Sequence, residues 1–191
     1  LSASHQPRPA VLDLLTRLGA KRVVHLCDPA LEAADSFGLG MALATTLRHL
    51  RADVAFAGSA GDTHGLGLVP AAVAHHWNAN ILSGVEEADW DSAAGELLTA
   101  TRAGGKRLRL AWKPPVVLTV FAPKAAEGEL PTASAETPVE TLDLAKLALK
   151  PNQLDFGYDG HSSTGPATGR SEAMNSIDEL VTCWLSPVKP R

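Results

Sequence analysis

The stretch that decides the fold is ADVAFAGSAGDTHGLGLVPAAVA, residues 52–74. An apolar run enters Gly58, glycines and other small residues follow, and an Ala-rich helical run begins near Leu68. This order predicts a strand, a Gly-rich turn and a helix, whose first N–H groups form a place where an anion or phosphate can bind. The spacing fits neither GxGxxG nor a Walker loop, since no GK[ST] follows. A tight turn whose glycines serve only packing is an equal alternative.

Strands and helices alternate on both sides of this stretch. Apolar periodicity predicts helices at residues 9–18, 36–51 and 68–77, and strands at residues 21–26, 53–57 and 79–83. Alternation with tight links predicts an α/β fold with a Rossmann-like, doubly wound parallel sheet. Such sheets bind ligands outside the carboxyl ends of their strands, which is where the Gly-rich turn would lie.

The pattern changes beyond Val85. Residues 95–110 predict a β-hairpin about Ala103-Gly104-Gly105, and residues 116–121 predict a buried strand. Residues 122–138 have no period and predict a long surface excursion. The Gly-rich residues 157–170 are typical of a mobile linker or of a loop ordered by a partner, and residues 177–185 predict a short amphipathic helix. We therefore predict an α/β nucleotide-binding-like domain at 1–150 and a C-terminal arm at 151–191.

Composition and charge narrow the class of protein. The 191 residues are 45% hydrophobic and 20% charged, as expected of a globular domain, and the net charge of −4 argues against a nucleic-acid partner. The only dense basic run, Lys106-Arg107-x-Arg109, alternates like the solvated face of a strand. Cys27 and Cys183 lie far apart without metal-ligand spacing, so we expect no metal site. No apolar run is long enough to insert in a membrane, and we expect a cytoplasmic protein.

The first residues of the chain lead to one further expectation. It begins at Leu1, and LSASHQPRP is typical of the end of a strand that runs into a turn. We therefore expect that residues are missing upstream.

Several strings, in collinear order from Leu1 to about Leu185, resemble the β-subunit of electron transfer flavoproteins. They are LSASHQPRPAVLDLLTRLGAKRVVHL, ADVAFAG, GLGLVPAAVAHHWNANILSGV, PPVVLTV, ELP and IDELVTCWL. The family's first strand, and the helix after it, have no counterpart in this chain. The resemblance therefore covers most of the family's order of elements but not its beginning.

The resemblance implies an adenine-nucleotide-binding α/β fold that pairs with a homologous α-subunit. The heterodimer of the family holds one FAD, mostly on the α-subunit. It carries single electrons from flavin-linked dehydrogenases to a membrane quinone reductase or another acceptor, and many β-subunits also bind AMP in the Gly-rich turn. No Ser/His/Asp, Cys/His or paired-carboxylate arrangement stands out in this chain. We therefore expect an electron-transfer subunit rather than a catalyst acting through its own side chains.

For the AMP site the resemblance implies a set of contacts in the turn. The candidates are Gly58, Ser59, Asp62, Thr63, His64, Gly65 and Gly67. The family places Asn-Gln-Thr where this chain has His64, Gly65 and Leu66, and each lost hydrogen bond to phosphate would cost about 1.5–3 kcal/mol. Asp62 would repel a phosphate unless it faces away or contacts the ribose. AMP is therefore held by backbone groups with Ser59 and Thr63, or the turn is empty.

A second candidate site lies in the excursion. The resemblance implies that a loop after the PPVVLTV strand docks the dehydrogenase by inserting a leucine, which corresponds to Leu130, followed by Pro131. Burial of that side chain would contribute about 1.5–3 kcal/mol. The alternative is that Leu130 packs back onto its own loop.

Other residues have simpler interpretations. His75 and His76 suggest a metal pair, but neighbouring residues on a helix point apart, so we favour an interaction with the helix C-terminus. Trp77 and Trp112 are predicted to be core residues. Two further functions stay open: a nucleotide-binding regulatory module similar to the universal stress proteins, and a purely structural subunit of a larger oxidoreductase.

Overall fold

The computed structural model describes residues 1–59, 67–120 and 137–156. These residues form three α-helices: α1 (Pro9–Arg17), α2 (Ser36–His49) and α3 (Leu68–Trp77). The strands among them are β1 (Ser2–Ser4), β2 (Val23–Cys27), β3 (Val54–Gly58), β4 (Asn80–Leu82), β5 (Val85–Asp91), β6 (Glu96–Ala103), β7 (Lys106–Trp112), β8 (Val116–Val120) and β9 (Val139–Leu142). Short 3-10 turns lie at Pro29–Glu32 and Pro151–Gln153.

The described strands form three ladders of three strands each. Two are parallel, with the orders β1-β2-β9 and β3-β8-β4, and one is antiparallel, with the order β5-β6-β7. The α/β class with parallel strands and the hairpin are therefore confirmed. The sequence did not predict that the parallel strands divide into two ladders. It also did not predict β5, because VEEADWD has only one apolar face and few β-formers.

Local signals account for the boundaries of the helices. The side chain of Asp35 accepts a hydrogen bond from the N–H of Gly38 at 2.7 Å and caps α2. The same carboxylate accepts from the N–H of Phe156 at 3.1 Å, which ties the C-terminal end of the described residues to α2. Pro9 begins α1, and Gly19, with φ of +81°, follows its end as predicted.

Three hydrophobic clusters hold the elements together. Val24 and Leu26 of β2 pack with Ala42 of α2 in the first, and Ala44 of α2 packs with Val73 of α3 in the second. The remaining members of these clusters include Leu31, Leu47, Ala74, Trp77, Val117, Leu142, Leu144, Leu147 and Leu154. The third cluster joins the antiparallel sheet to β8 through Val85, Leu97, Val116 and Leu118, with Trp112 partly buried against it.

These clusters bear on two predictions. Trp77 is 6% exposed, which confirms it as a core residue, whereas Trp112 is only partly buried and donates from Nε1 to Oγ1 of Thr99 at 2.9 Å. Leu154 is 1% exposed and belongs to the first cluster. The division of the chain after residue 150 stays a prediction.

Helices α2 and α3 approach closely because small residues lie where they cross. A Cβ built on Gly40 would collide with the Cβ of Ala72 and would lie 3.0 Å from the backbone nitrogen of Val73. A Cβ built on Gly38 would collide with the carbonyl of Leu154. Glycine at these two positions therefore sets the distance from α2 to α3 and to the segment that follows the second 3-10 turn.

Gly40→Ala should destabilise the protein despite the better helix propensity of alanine, which is worth about 1 kcal/mol. We expect a net loss of about 1–3 kcal/mol, since the added methyl group overpacks the contact between α2 and α3. Chemical denaturation measures the change. Ala71→Ser, on the exposed side of α3, is the control. The double variant Gly40→Ala/Ala72→Gly should recover part of the loss, and equal stability of Gly40→Ala and the parent would contradict the packing argument.

Candidate functional site

The candidate site lies where β3 ends. Gly58 is the last residue of β3 and is in register with Val120, the last residue of β8. The next residue, Ser59, donates its backbone N–H to the carbonyl oxygen of Val120 at 3.1 Å. Gly58 is exposed and Ser59 is half-buried, so the chain leaves the parallel ladder at an accessible edge. This is the carboxyl end of two adjacent parallel strands, as the sequence predicted.

Gly67 brings the chain back to this edge. It has a left-handed backbone, with φ of +60° and ψ of 21°, and it precedes the first residue of α3. A Cβ built on Gly67 would lie 2.5 Å from the carbonyl oxygen of Ser59. The structure therefore brings Ser59 and Gly67 together, and it requires glycine at position 67 for both the backbone angle and the contact.

The first turn of α3 has the properties of an anion-binding helix end. Among the described residues no side chain caps the helix, and its first turn contains no acidic residue. The backbone N–H groups of Leu68 and Val69 therefore have no side-chain partner among the residues that the structure describes, and Pro70 has no N–H to satisfy. These N–H groups, with the helix dipole, fit a phosphate at this end.

The other predicted contacts fall outside the described residues. This applies to Asp62, Thr63, His64 and Gly65 in the turn, and to the docking pair Leu130 and Pro131. Their roles stay predictions.

His75 and His76 belong to an aromatic cluster at the end of α3. Their ring centroids are 5.1 Å apart, and the ring of Phe37 lies 6.3 Å from His75 and 6.1 Å from His76. Burial lowers the pKa of His76, and the positive charges of His75 and Arg48 lower this pKa further. An interaction with the helix C-terminus, as predicted from the sequence, would raise the pKa of His76. The pKa is lowered instead, so burial has the larger effect on this side chain. Within the described ranges no group of three His, Cys, Asp or Glu side chains could hold a metal ion.

A buried polar pair was missed by the sequence analysis. His25 of β2 is 1% exposed, and its Nε2 lies 3.3 Å from Oγ of Ser4, which itself donates to the carbonyl oxygen of Gln6. The donor and acceptor roles in this pair depend on the tautomer of His25. Nδ1 is buried with no hydrogen-bond partner in the described residues. The available signal was one histidine inside the apolar run VVHLC.

The basic run on β7 is solvated, as predicted. Lys106, Arg107 and Arg109 are exposed, and Arg107 forms an ion pair with Glu87 on β5. A neighbouring exposed pair joins Arg102 to Glu86 at 3.0 Å. Exposed pairs of this kind contribute little to stability, about 0–1 kcal/mol.

Comparison with known families identifies the fold. A family model described as the electron transfer flavoprotein domain matches residues 3–147. The chain belongs to the electron transfer flavoprotein family. The matched residues take in the Gly-rich turn and every described element from α1 to β9. The match applies to the α- and β-type subunits alike, and no curated protein matches the chain.

Membership in this family gives the functional class. Proteins with the electron transfer flavoprotein domain are flavin-associated and work with a partner subunit and with dehydrogenases, so electron transport is the class of function. In the part of the chain that the structure describes, no helix is both long and apolar enough to span a membrane.

Gly67→Ala should destabilise the protein more than Gly104→Ala, because both residues have a left-handed backbone but only Gly67 lies against another group. Gly104, with φ of +57°, has no atom within 4 Å of a built Cβ. The left-handed backbone alone costs about 1–2 kcal/mol for alanine. The contact with Ser59 should add to this loss only at Gly67. Denaturation of both variants measures the difference, and equal losses would show that the turn relaxes around the methyl group.

Proposed function

We propose that the chain is the β-type subunit of a heterodimeric, FAD-containing electron transfer flavoprotein. In this role it passes electrons from a flavin-linked dehydrogenase to a quinone reductase or another acceptor. The observation that carries the proposal is the match of the electron transfer flavoprotein domain over residues 3–147, together with the parallel α/β fold. The β type rests on the collinear strings, from LSASHQPRP at the start to IDELVTCWL near the end.

FAD would be held mostly by the α-type partner subunit. When bound, the flavin supplies the one-electron chemistry, and the protein positions it and tunes its surroundings. We expect no acid, base or nucleophilic chemistry from the side chains of this chain. The contribution of this chain would therefore be to hold the partner subunit and to admit the dehydrogenase.

The turn between β3 and α3 is the proposed AMP site. Its supports are the N–H groups of Leu68 and Val69, which no described side chain caps, the position of Gly67 against Ser59, and the exposed edge at Gly58. A phosphate at the end of α3 would accept from these backbone groups without the amide side chains that the family uses. Thr63, His64 and Gly65 would complete the contacts, and Asp62 would face the ribose or solvent.

The proposed docking segment is Leu130 with Pro131, which follows β8 in the chain. An apolar side chain within a polar Ala/Glu/Pro segment becomes buried most readily in the pocket of a partner. Glu127 and Glu129 beside it favour a dehydrogenase with a basic rim around that pocket, because opposite charges increase the rate of association.

Two other functions make different use of the same turn. A nucleotide-binding regulatory module would bind the nucleotide without a flavin-bearing partner. A structural subunit would bind the partner but neither AMP nor flavin. The two alternatives therefore differ from the proposed function in which components accompany the chain.

Native mass spectrometry of the complex purified after co-expression with the α-type subunit separates the three functions. We expect a yellow 1:1 heterodimer that contains one FAD and one AMP. A colourless chain that carries a nucleotide but no second subunit would indicate the regulatory module. A heterodimer free of both FAD and AMP would indicate the structural role, and either result would overturn the proposal.

Leu130→Ala should slow electron transfer from the dehydrogenase by about 10- to 100-fold at low protein concentration. The reason is the loss of about 1.5–3 kcal/mol of apolar burial in the docked complex. Stopped-flow reduction of the flavin measures the rate. The control is Leu98→Ala, since Leu98 is a 42% exposed leucine on β6. Equal rates for Leu130→Ala and the control would remove Leu130 from the docking site.

A further inference from the structure

The aromatic cluster at the end of α3 joins three parts of the chain. The ring centroid of His76 lies 6.1 Å from that of Phe37, 5.7 Å from that of Phe156 and 5.1 Å from that of His75. Phe37 belongs to the first turn of α2, the two histidines belong to the last turn of α3, and Phe156 follows the second 3-10 turn. The imidazole of His76 therefore has a ring contact with each of these segments.

One nitrogen of His76 is enclosed by this packing. Its Nε2 is buried and has no hydrogen-bond partner in the described part of the chain, although the side chain as a whole is half-buried. A neutral imidazole leaves one nitrogen without a proton, whereas the charged ring carries an N–H donor on both. Burial of a charged donor without an acceptor is unfavourable, so the packed cluster favours the neutral ring.

The neighbouring charges act in the same direction. Burial is the main cause that lowers the pKa of His76 from its ordinary value of 6.5, and the positive charges of His75 and Arg48 lower it further. A hydrogen bond to the backbone of Phe37 raises this pKa but does not outweigh the other causes. The geometry of the cluster and the charges around it therefore agree.

Acidic groups on the packed segments do not reverse this preference. Asp35 caps α2 and accepts from the N–H of Phe156 at 3.1 Å, and Asp155 precedes Phe156 in the chain. The pKa of His76 is lowered although both carboxylates belong to segments of the cluster. The other titratable side chains on these segments are exposed and are His49 and Lys150.

Phe156 is held less firmly than the residues just before it. Leu154 is 1% exposed, belongs to the first hydrophobic cluster and has its carbonyl directly against Gly38. Phe156 is 51% exposed, and its described contacts are the rings of the cluster and the hydrogen bond to Asp35. The boundary between firmly packed and weakly held chain therefore lies between Leu154 and Phe156.

Packing of Phe156 and protonation of His76 are linked. If the ring of Phe156 contributes to the burial that lowers the pKa of His76, then a proton on His76 weakens the packing of Phe156 by the same factor. The coupling is reciprocal because both changes connect the same four states of the cluster.

We propose that the neutral ring of His76 holds Phe156 against α2 and α3, and that protonation of this ring on mild acidification releases the segment that carries Phe156. The direction follows from the sign of the linkage. The pKa in the packed state lies below 6.5, so the stabilisation is complete above about pH 6.5 and is lost as the pH falls through the lowered pKa. Leu154 marks the point beyond which the chain is released.

One interaction has the opposite sign. A positive charge within about 6 Å of a phenyl ring is attracted to its face, which would favour a charged His76 beside Phe156. Removal of the phenyl ring separates the two effects, because loss of burial raises the pKa of His76 and loss of a cation–π contact lowers it.

NMR titration of the histidine rings in the intact chain tests the coupling. We expect a pKa of His76 below 6.5 in the parent, and we expect Phe156→Ala to raise this pKa towards 6.5. His49→Gln, on the exposed side of α2, is the control and should leave the pKa of His76 unchanged. An unchanged or lower pKa in Phe156→Ala would overturn the proposal.

Amide hydrogen exchange at about pH 5 and about pH 7.5 measures the release itself. After correction for the intrinsic effect of pH on exchange, the amide of Phe156 should lose protection at the lower pH. Where Phe156→Ala raises the pKa of His76 by about one, the loss should be about tenfold. The amide of Leu154, which bonds to the carbonyl of Pro151 at 3.1 Å, is the internal reference and should keep its protection. Equal protection of Phe156 at both pH values would overturn the proposal.

Two variants assign the effect to one histidine. His76→Phe keeps an aromatic ring but cannot take up a proton, so protection of the Phe156 amide should no longer depend on pH. His75→Gln removes a neighbouring positive charge, so the midpoint of release should move to higher pH. Release on acidification in His76→Phe would show that another group is responsible and would contradict the proposal.

Discussion

The packing of α2 is the constraint on which the rest of the structure depends. This helix contributes side chains to the clusters on both parallel ladders, and it approaches α3 through Gly40 without an intervening side chain. Its cap, Asp35, also binds the backbone of Phe156. A single helix therefore relates the two ladders, the neighbouring helix and the end of the described chain. A small change in its side chains alters several contacts at once, because the interior is close-packed.

The candidate site follows from this arrangement. Helix α3, held against α2, directs its first turn to the carboxyl ends of β3 and β8, and no described side chain caps that turn. The contact of Gly67 with Ser59 then closes the turn at its base. In the proposed AMP site, backbone groups would bind the phosphate in place of the amide side chains that the family uses. The family match shows an electron transfer flavoprotein domain, and the parallel α/β fold agrees with it.

Particular residues show how much of the structure could be predicted from the sequence. The bounds Leu68–Trp77 were predicted correctly because the Gly-rich turn marks the start of the helix and an Ala-rich helical run follows it. The hairpin was predicted because Gly104 and Gly105 separate two alternating runs. The pairing of His25 with Ser4 was not predicted, because the two residues are distant in the chain and meet only when β1 pairs with β2. The aromatic contacts of His75 and His76 likewise depend on Phe37 from another helix.

The sequence by itself determined the kind and position of most elements, the α/β class and the Gly-rich turn at the end of β3. These depend on periodicity and on turn residues, which act over a few positions of the chain. Only the tertiary structure decided which strands are neighbours and that the parallel strands form two ladders. Strand order depends on the face that each crossover helix occupies, and that choice is made by contacts between residues far apart in the chain.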